Sequence, residues 1–215
     1  FRCIYLAKIL KQKGYEILFI SKNIKGNINH IIRKNNFKIK ILPKRFYDKR
    51  KKNFDVFTKK EQLKESEYLK KFLKNFDIVI IDHYGVNYIW EKNLSFSGKL
   101  VVISDLVNKK HFCDVYINFH INDRKKIKNK ILKKNCKFLL GKKYILIGEA
   151  RKQNFNLNNN LFSRRKRNIL LFFGTTDSND YMHKVLKLFQ NLYCGSYNII
   201  SILGQNYKHK KNIKI

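Results

Sequence analysis

Apolar positions along this chain alternate between helical spacing and short unbroken runs. Cys3, Leu6, Ala7 and Leu10 recur at helical spacing while Lys8, Lys11, Gln12 and Lys13 face away, and Gly14 stands where a C-terminal capping glycine belongs. A strand over 15–20 is expected directly after it, then a short helix over 28–34, a strand over 37–41 and a lysine-rich loop over 44–60. Residues 60–74 predict an amphipathic helix with Leu63, Tyr68, Leu69, Phe72 and Leu73 on one face and Glu61 and Glu65 opposing lysines. The run over 76–81 is almost wholly apolar, as in strands buried on both faces of a parallel sheet. A helical turn over 87–92, strands over 100–103 and 114–118, and a strand pair over 138–140 and 144–147 around Gly141 continue the series. Beyond an asparagine-rich and then basic stretch over 154–167, a strand over 168–173 leads through a turn into a helix over 181–192. Met182, Val185, Leu186 and Phe189 point inward on that helix, and a strand over 197–203 follows.

Strands alternating with helices imply an α/β fold with parallel sheets. Residues 1–150 are expected to form a Rossmann-like domain, 151–167 a linker, and 168–215 the start of a second Rossmann-like domain. A helix that docks straight into a buried strand is half of a βαβ unit, so the first strand of the sheet is expected to be missing. The second domain is expected to be incomplete.

Charge changes the picture less than its size suggests. The 48 Lys and Arg against 15 Asp and Glu give +33, which taken alone points to a phosphate-rich partner. Yet Lys, Asn, Ile, Phe and Tyr are inflated together, Ala occurs only at Ala7 and Ala150, and Pro only at Pro43. Compositional drift produces that pattern, and the basic residues are spread along the chain instead of gathered among stacking aromatics. No specific nucleic-acid partner is therefore expected, only non-specific polyanion binding at low salt. The apolar runs are too short to span a bilayer, and no charged-then-apolar leader opens the chain. Cys3, Cys113, Cys136 and Cys194 show no framework spacing, which suits a reducing, cytoplasmic setting. No Cys-x-x-Cys or His-x-x-x-His anchors a metal, so neither metal nor cofactor is expected.

In open parallel sheets ligands bind beyond the carboxyl ends of the strands. Three polar clusters fall there. Asp82-His83-Tyr84-Gly85 offers a carboxylate, an imidazole and a phenol suited to acid/base or hydrogen-bonding work; equally, Asp82 could cap the next helix and His83 could be a satisfied buried residue. Ser104-Asp105 could hold a hydroxyl or cap a helix. Gly174-Thr175-Thr176-Asp177 joins a strand to a helix N-terminus, which suits a phosphate or a plain tight turn. Arg2, on the first turn of the opening helix, is a further candidate for ligand contact.

Taken in order, these segments resemble the UDP-2,4-diacetamido-2,4,6-trideoxy-β-L-altropyranose hydrolases of pseudaminic acid biosynthesis. The segment from Phe1 to Ala7 is similar to the tail of that family's G-H-x-x-R-x-L-x-L-A opening. Asp82-His83-Tyr84-Gly85-Val86 with Trp90-Glu91 resembles D-H-Y-G…W-E, and Ile103-Ser104-Asp105-Leu106 with His111-Phe112-Cys113-Asp114 resembles I-D-D-L…H-x-C-D. Leu140-Gly141-Lys142-Lys143-Tyr144 matches L-G-x-x-Y, and Phe173-Gly174-Thr175-Thr176-Asp177 resembles F-G-G-(S/T)-D. The resemblance implies a two-domain fold like that of the GT-B glycosyltransferases and hydrolysis of a UDP-linked sugar by water attack at the anomeric carbon. It implies catalytic-site roles for Tyr84, His83 and Asp82 and substrate contacts for Arg2, Asp105, Gly174, Thr175, Thr176 and Asp177. The family's catalytic histidine would stand three residues before Arg2, outside this chain. Ser104 replaces an Asp, Thr175 a Gly, and Gly148 stands where an Arg is usual. The chain is accordingly expected to be inactive as it stands, with another UDP-sugar glycosyltransferase or a basic nucleic-acid-binding protein as alternative readings.

Overall fold

A computed structural model describes residues 1–24, 26–46, 57–147, 167–174, 177–191, 197–204 and 207–209. The chain divides into two compact units, Phe1–Ala150 and Arg151–Ile215. In the first, helices α1 (Arg2–Gln12), α2 (Asn29–Lys34), α3 (Lys59–Leu73), α4 (Tyr88–Leu94) and α5 (Lys125–Lys128) accompany six strands. The strands are β1 (Leu18–Ser21), β2 (Lys38–Ile41), β3 (Ile78–Ile81), β4 (Lys99–Ile103), β5 (Val115–Asn118) and β6 (Lys137–Leu140). β1 and β2 form a parallel pair; β3-β4-β5-β6 form a parallel sheet in that order. The second unit holds β7 (Arg167–Phe172) and β8 (Tyr197–Ile202), paired in parallel, with α6 (Tyr181–Asn191) between them in sequence. The fold is α/β with parallel sheets, as the alternation of apolar patterns predicts. The expected linker over 151–167 lies, but for Arg167, outside the described residues.

The main core of the first unit fills with Leu69, Leu73, Ile81, Trp90, Leu94, Leu100, Val102, Tyr116 and Ile127. Removing each of the fully buried aliphatic side chains from water contributes about 1.5–3 kcal/mol. A smaller cluster of Ile4, Ala7, Ile32 and Phe37 lies between α1, α2 and the β1–β2 pair.

Helix α3 begins one residue earlier than its apolar period suggests because Thr58 and Glu61 close a capping box: Thr58 N–H donates to Glu61 Oε2 at 2.7 Å and Glu61 N–H to Thr58 Oγ1 at 3.3 Å. Its buried face is Gln62, Glu65, Ser66, Leu69 and Leu73, whereas Leu63, expected inside, is exposed. The face rotates because Lys22 Nζ reaches Glu65 Oε2 at 2.6 Å and draws the carboxylate inward. Desolvation raises the Glu65 pKa, with the Lys22 charge and the Trp90 indole opposing it.

One expected strand is absent. Residues 144–147 form no strand; Lys142–Tyr144 is a single 3-10 turn instead. Gly141, at φ +87, turns the chain sharply after β6, and a Cβ there would lie 2.1 Å from Asn122 Oδ1. An α-carbon without a side chain lets the chain leave the sheet edge at this point.

Candidate functional site

Asp82 follows β3 directly and Asp105 follows β4 closely, so adjacent parallel strands present two carboxylates at their carboxyl ends. Arg2, on the first turn of α1, lies between them. Its Nη2 donates to Asp82 Oδ1 at 2.6 Å and its Nε to Asp82 Oδ2 at 2.9 Å; Nη1 meets both oxygens of Asp105 at 2.9 Å. This forked arrangement suits the planar guanidinium. The hydrogen bond to Asp82, above all, pushes Arg2 still further above its ordinary pKa. Tyr84 completes the cluster, donating its hydroxyl to Asp105 Oδ2 at 2.6 Å.

The electrostatics follow from this geometry. Partial burial pushes Asp105 up, but the Arg2 and Tyr84 hydrogen bonds outweigh it and hold the carboxylate below its usual range. The same bond to Asp105 raises the Tyr84 phenol. Asp105 is thus a stabilised anion and Tyr84 a firmly protonated donor.

Several neighbours carried no sequence signal. Cys3 donates its thiol to Asp82 Oδ2 at 3.2 Å; desolvation, then the Asp82 charge, pushes it up to about 12. Lys109 donates to the Tyr84 carbonyl. His120 Nε2 stands 3.8 Å from Asp105 Oδ1, and the Phe119 ring lies 5.2 Å from the Arg2 guanidinium carbon. Cys3 lies on α1 beside Arg2, while Lys109, Phe119 and His120 sit on loops, and only the strand topology gathers them.

His83, between Asp82 and Tyr84 in sequence, turns elsewhere. Its Nδ1 accepts from Gly85 N–H at 2.8 Å, which leaves Nε2 as the protonated nitrogen, and its ring meets Phe57 edge-on at 5.3 Å. Desolvation lowers its pKa to about 4, assisted by the charges of Lys22 and Lys109. The residue still meets solvent along part of its surface, and at neutral pH the ring is uncharged. Ser104 is buried and donates to the Leu106 carbonyl at 3.1 Å, shaping the loop that carries Asp105.

The other motif residues build the scaffold below the cluster. Buried Glu91 on α4 accepts from His111 Nδ1 at 2.7 Å and also from Phe112 N–H. Cys113 and Cys136 are buried thiols with sulfurs 3.8 Å apart. Asp114 accepts from Leu100 N–H at 2.9 Å and from Lys133 Nζ at 2.7 Å, which fixes the start of β4. Asn87 caps α4 through Ile89 N–H at 3.0 Å.

In the second unit, Gly174 follows β7 at φ +80, and Thr175 and Thr176 lie outside the described residues. Asp177 is buried and accepts from Tyr181 N–H at 3.0 Å and Met182 N–H at 2.8 Å. The donors expected to suit a phosphate at the start of α6 therefore already hold the chain's own carboxylate.

Among the described residues, no group of three or more His, Cys, Asp or Glu side chains could hold a metal ion, and no helix is long and apolar enough to cross a membrane. Neither a scan against protein-family models nor a search of the curated proteins returns a match for the chain.

Proposed function

We propose that the first unit carries the sugar-side face of a UDP-sugar hydrolase of the pseudaminic acid type, in a chain of GT-B-like design whose second unit begins the nucleotide-binding domain. The observation that supports this reading is the Arg2–Asp82–Asp105–Tyr84 cluster at the carboxyl ends of adjacent parallel strands. Two carboxylates and a protonated phenol match the hydroxyl and acetamido groups of a diacetamido sugar, which both donate and accept hydrogen bonds. In the reaction water attacks the anomeric carbon, its bond to the phosphate oxygen breaks, and UDP leaves with the electron pair.

Within the described cluster the carboxylates that could accept a proton from that water are already engaged by other groups. Tyr84 and Arg2 keep their protons, Asp105 is a weakened base, Asp82 is held by Arg2 and the Cys3 thiol, and His83 shares no hydrogen bond with the cluster. This leaves the exposed His120, 3.8 Å from Asp105, outside these hydrogen bonds. The chain is expected to bind the UDP-sugar without sustained turnover. Calorimetry with the UDP-linked 2,4-diacetamido-2,4,6-trideoxy sugar, run beside an assay for released UDP, tests both parts. Binding that weakens in Asp105→Asn and Tyr84→Phe, without UDP release, is expected. Sustained release would overturn the inactivity, and absence of binding by the folded protein would overturn the nucleotide-sugar reading. UDP release that needs an acceptor other than water would identify a glycosyltransferase instead.

A further inference from the structure

The thiols of Cys113 and Cys136 take no part in the cluster at the carboxyl ends of the strands. Cys113 stands two residues before β5 and Cys136 directly before β6, so both lie at the opposite, amino end of the sheet. Val115 is the register partner of Lys137, and Lys137 N–H donates to the Asp114 carbonyl at 2.8 Å, which extends the ladder down to this level. Cys113 and Cys136 are therefore diagonal neighbours. One strand spacing across and one residue along place their Cα atoms about 5.8 Å apart, inside the range that disulfides adopt. The sulfurs stand 3.8 Å apart, and rotation of the side chains can bring them to the bonded distance of about 2.05 Å.

The two thiols are not equivalent. Cys113 is fully enclosed, whereas Cys136 lines a groove of about 390 Å³ beside β6, which is an edge strand of its sheet among the described residues. The hydrogen bond between the sulfurs, then burial, raises the Cys113 pKa, with the charges of Glu91 and Asp114 adding to it. The same bond lowers that of Cys136, against the opposing effect of burial. Cys136 thus ionises first and faces the groove; Cys113 waits behind it.

The groove has the size of a small-molecule site and a single sign of charge. Arg124 lies 4.4 Å from the Phe138 centroid and Lys143 Nζ 4.9 Å from that of Tyr144, so both cations rest on aromatic faces. Lys137 joins them, and no carboxylate is among the described residues that line the groove. A thiolate at the base of such a groove favours a carboxylate-bearing reactant.

We infer that Cys136 is a thiol–disulfide exchange site for an anionic low-molecular-weight disulfide, with Cys113 as the resolving thiol. The Cys136 thiolate, its proton released to solvent, attacks one sulfur of the small disulfide. That S–S bond breaks, and the first small thiolate leaves with the electron pair. Cys113 then loses its proton and attacks the Cys136 sulfur, expelling the second small thiolate. Two protein thiols are oxidised and one small disulfide is reduced to two thiols. The product staples the amino ends of β5 and β6.

Peptide mass spectrometry after timed exposure to glutathione disulfide, with neutral 2-hydroxyethyl disulfide alongside, tests this on the folded chain. A Cys113–Cys136 disulfide is expected, formed about tenfold or more faster than any adduct of Cys3. Cys113→Ser should stop at a glutathione adduct on Cys136. Arg124→Gln combined with Lys143→Gln should slow the glutathione disulfide reaction about threefold or more, and leave the neutral disulfide and Cys3 unchanged. These two positions are exposed, so that variant tests the inference even where Cys113→Ser fails to fold, and Trp90 fluorescence reports folding in each. The inference is overturned if Cys3 reacts as fast as Cys136, if Cys113 takes the adduct first, or if the adduct on Cys136 persists in the natural chain. It is also overturned if the double variant reacts unchanged or slows toward both disulfides alike, or if the rate tracks urea unfolding. None of these outcomes depends on the hydrolase reading.

Discussion

Arg2 and Asp105 lie 103 residues apart, yet one guanidinium nitrogen sits 2.9 Å from both oxygens of that carboxylate while the rest of the fork holds Asp82. This contact decides what the cluster can do. Two carboxylates at neighbouring strand ends repel each other, and a shared arginine offsets the repulsion. Substrate groups would meet a site whose half-buried arginine is already engaged.

Arg2→Met is therefore expected to destabilise the first unit by about 1–2 kcal/mol, a range reduced because the groups are partly solvent-screened. Asp105→Asn should cost less in the Arg2→Met background than alone, since the arginine it pairs with is gone. Trp90 is the only tryptophan and is buried in this unit. Its fluorescence during urea unfolding therefore reports the unit selectively, and strictly additive effects would contradict the direct pairing.

Glu91 and His111 form a scaffold pair, which separates them from the ligand-facing cluster. Glu91→Ala leaves a buried imidazole and the Phe112 N–H without their acceptor, and should cost about 3–5 kcal/mol. Glu91→Gln keeps an acceptor and should cost clearly less. The same urea transitions measure both, and equal losses would show that the charge, not the acceptor geometry, holds α4 to this loop.

The pH response should carry the mark of His83. Its folded pKa is lowered to about 4 from 6.5, so the unfolded chain takes up a proton first as pH falls. The stability from the neutral ring is complete above 6.5 and is lost progressively toward 4. Asp105, also depressed, adds a loss only below its ordinary value of 3.8. Tm should thus fall between pH 7 and pH 5 in the natural chain and fall less in His83→Gln. An unchanged slope in the variant would remove His83 from the account.

The fold was legible because it is written in periods. The apolar run over 76–81 and the capping residues around α3 signal their elements locally, whereas the turn at Gly141 depends on Asn122 packing against it from another segment. The site was legible in part. Asp82, Tyr84 and Asp105 stand at strand ends, where topology alone directs attention. The pairing of Arg2 with both carboxylates, the approach of Lys109 and the turning away of His83 depend on side-chain directions that no spacing encodes. The residues carrying the family resemblance divide in the same way. Asp82 and Tyr84 join the cluster, whereas Glu91, His111, Cys113 and Asp114 hold the scaffold.

Net charge supplies the last test. A specific nucleic-acid surface would leave its cations free and clustered, but here Arg2, Lys22 and Lys133 are engaged with carboxylates. Arg45 and Arg124 lie against rings, with Arg124 4.4 Å from the Phe138 centroid. The remaining excess should still attract duplex DNA at low salt through counterion release. That attraction weakens as screening shortens to about 8 Å near 0.15 M salt. Anisotropy titrations of an arbitrary duplex are expected to show affinity falling steeply with salt, no preference between scrambled sequences, and loss of binding near 0.15 M. Tight binding that persists there would favour a nucleic-acid role over the sugar-nucleotide one, because drifted charge alone supplies attraction without register.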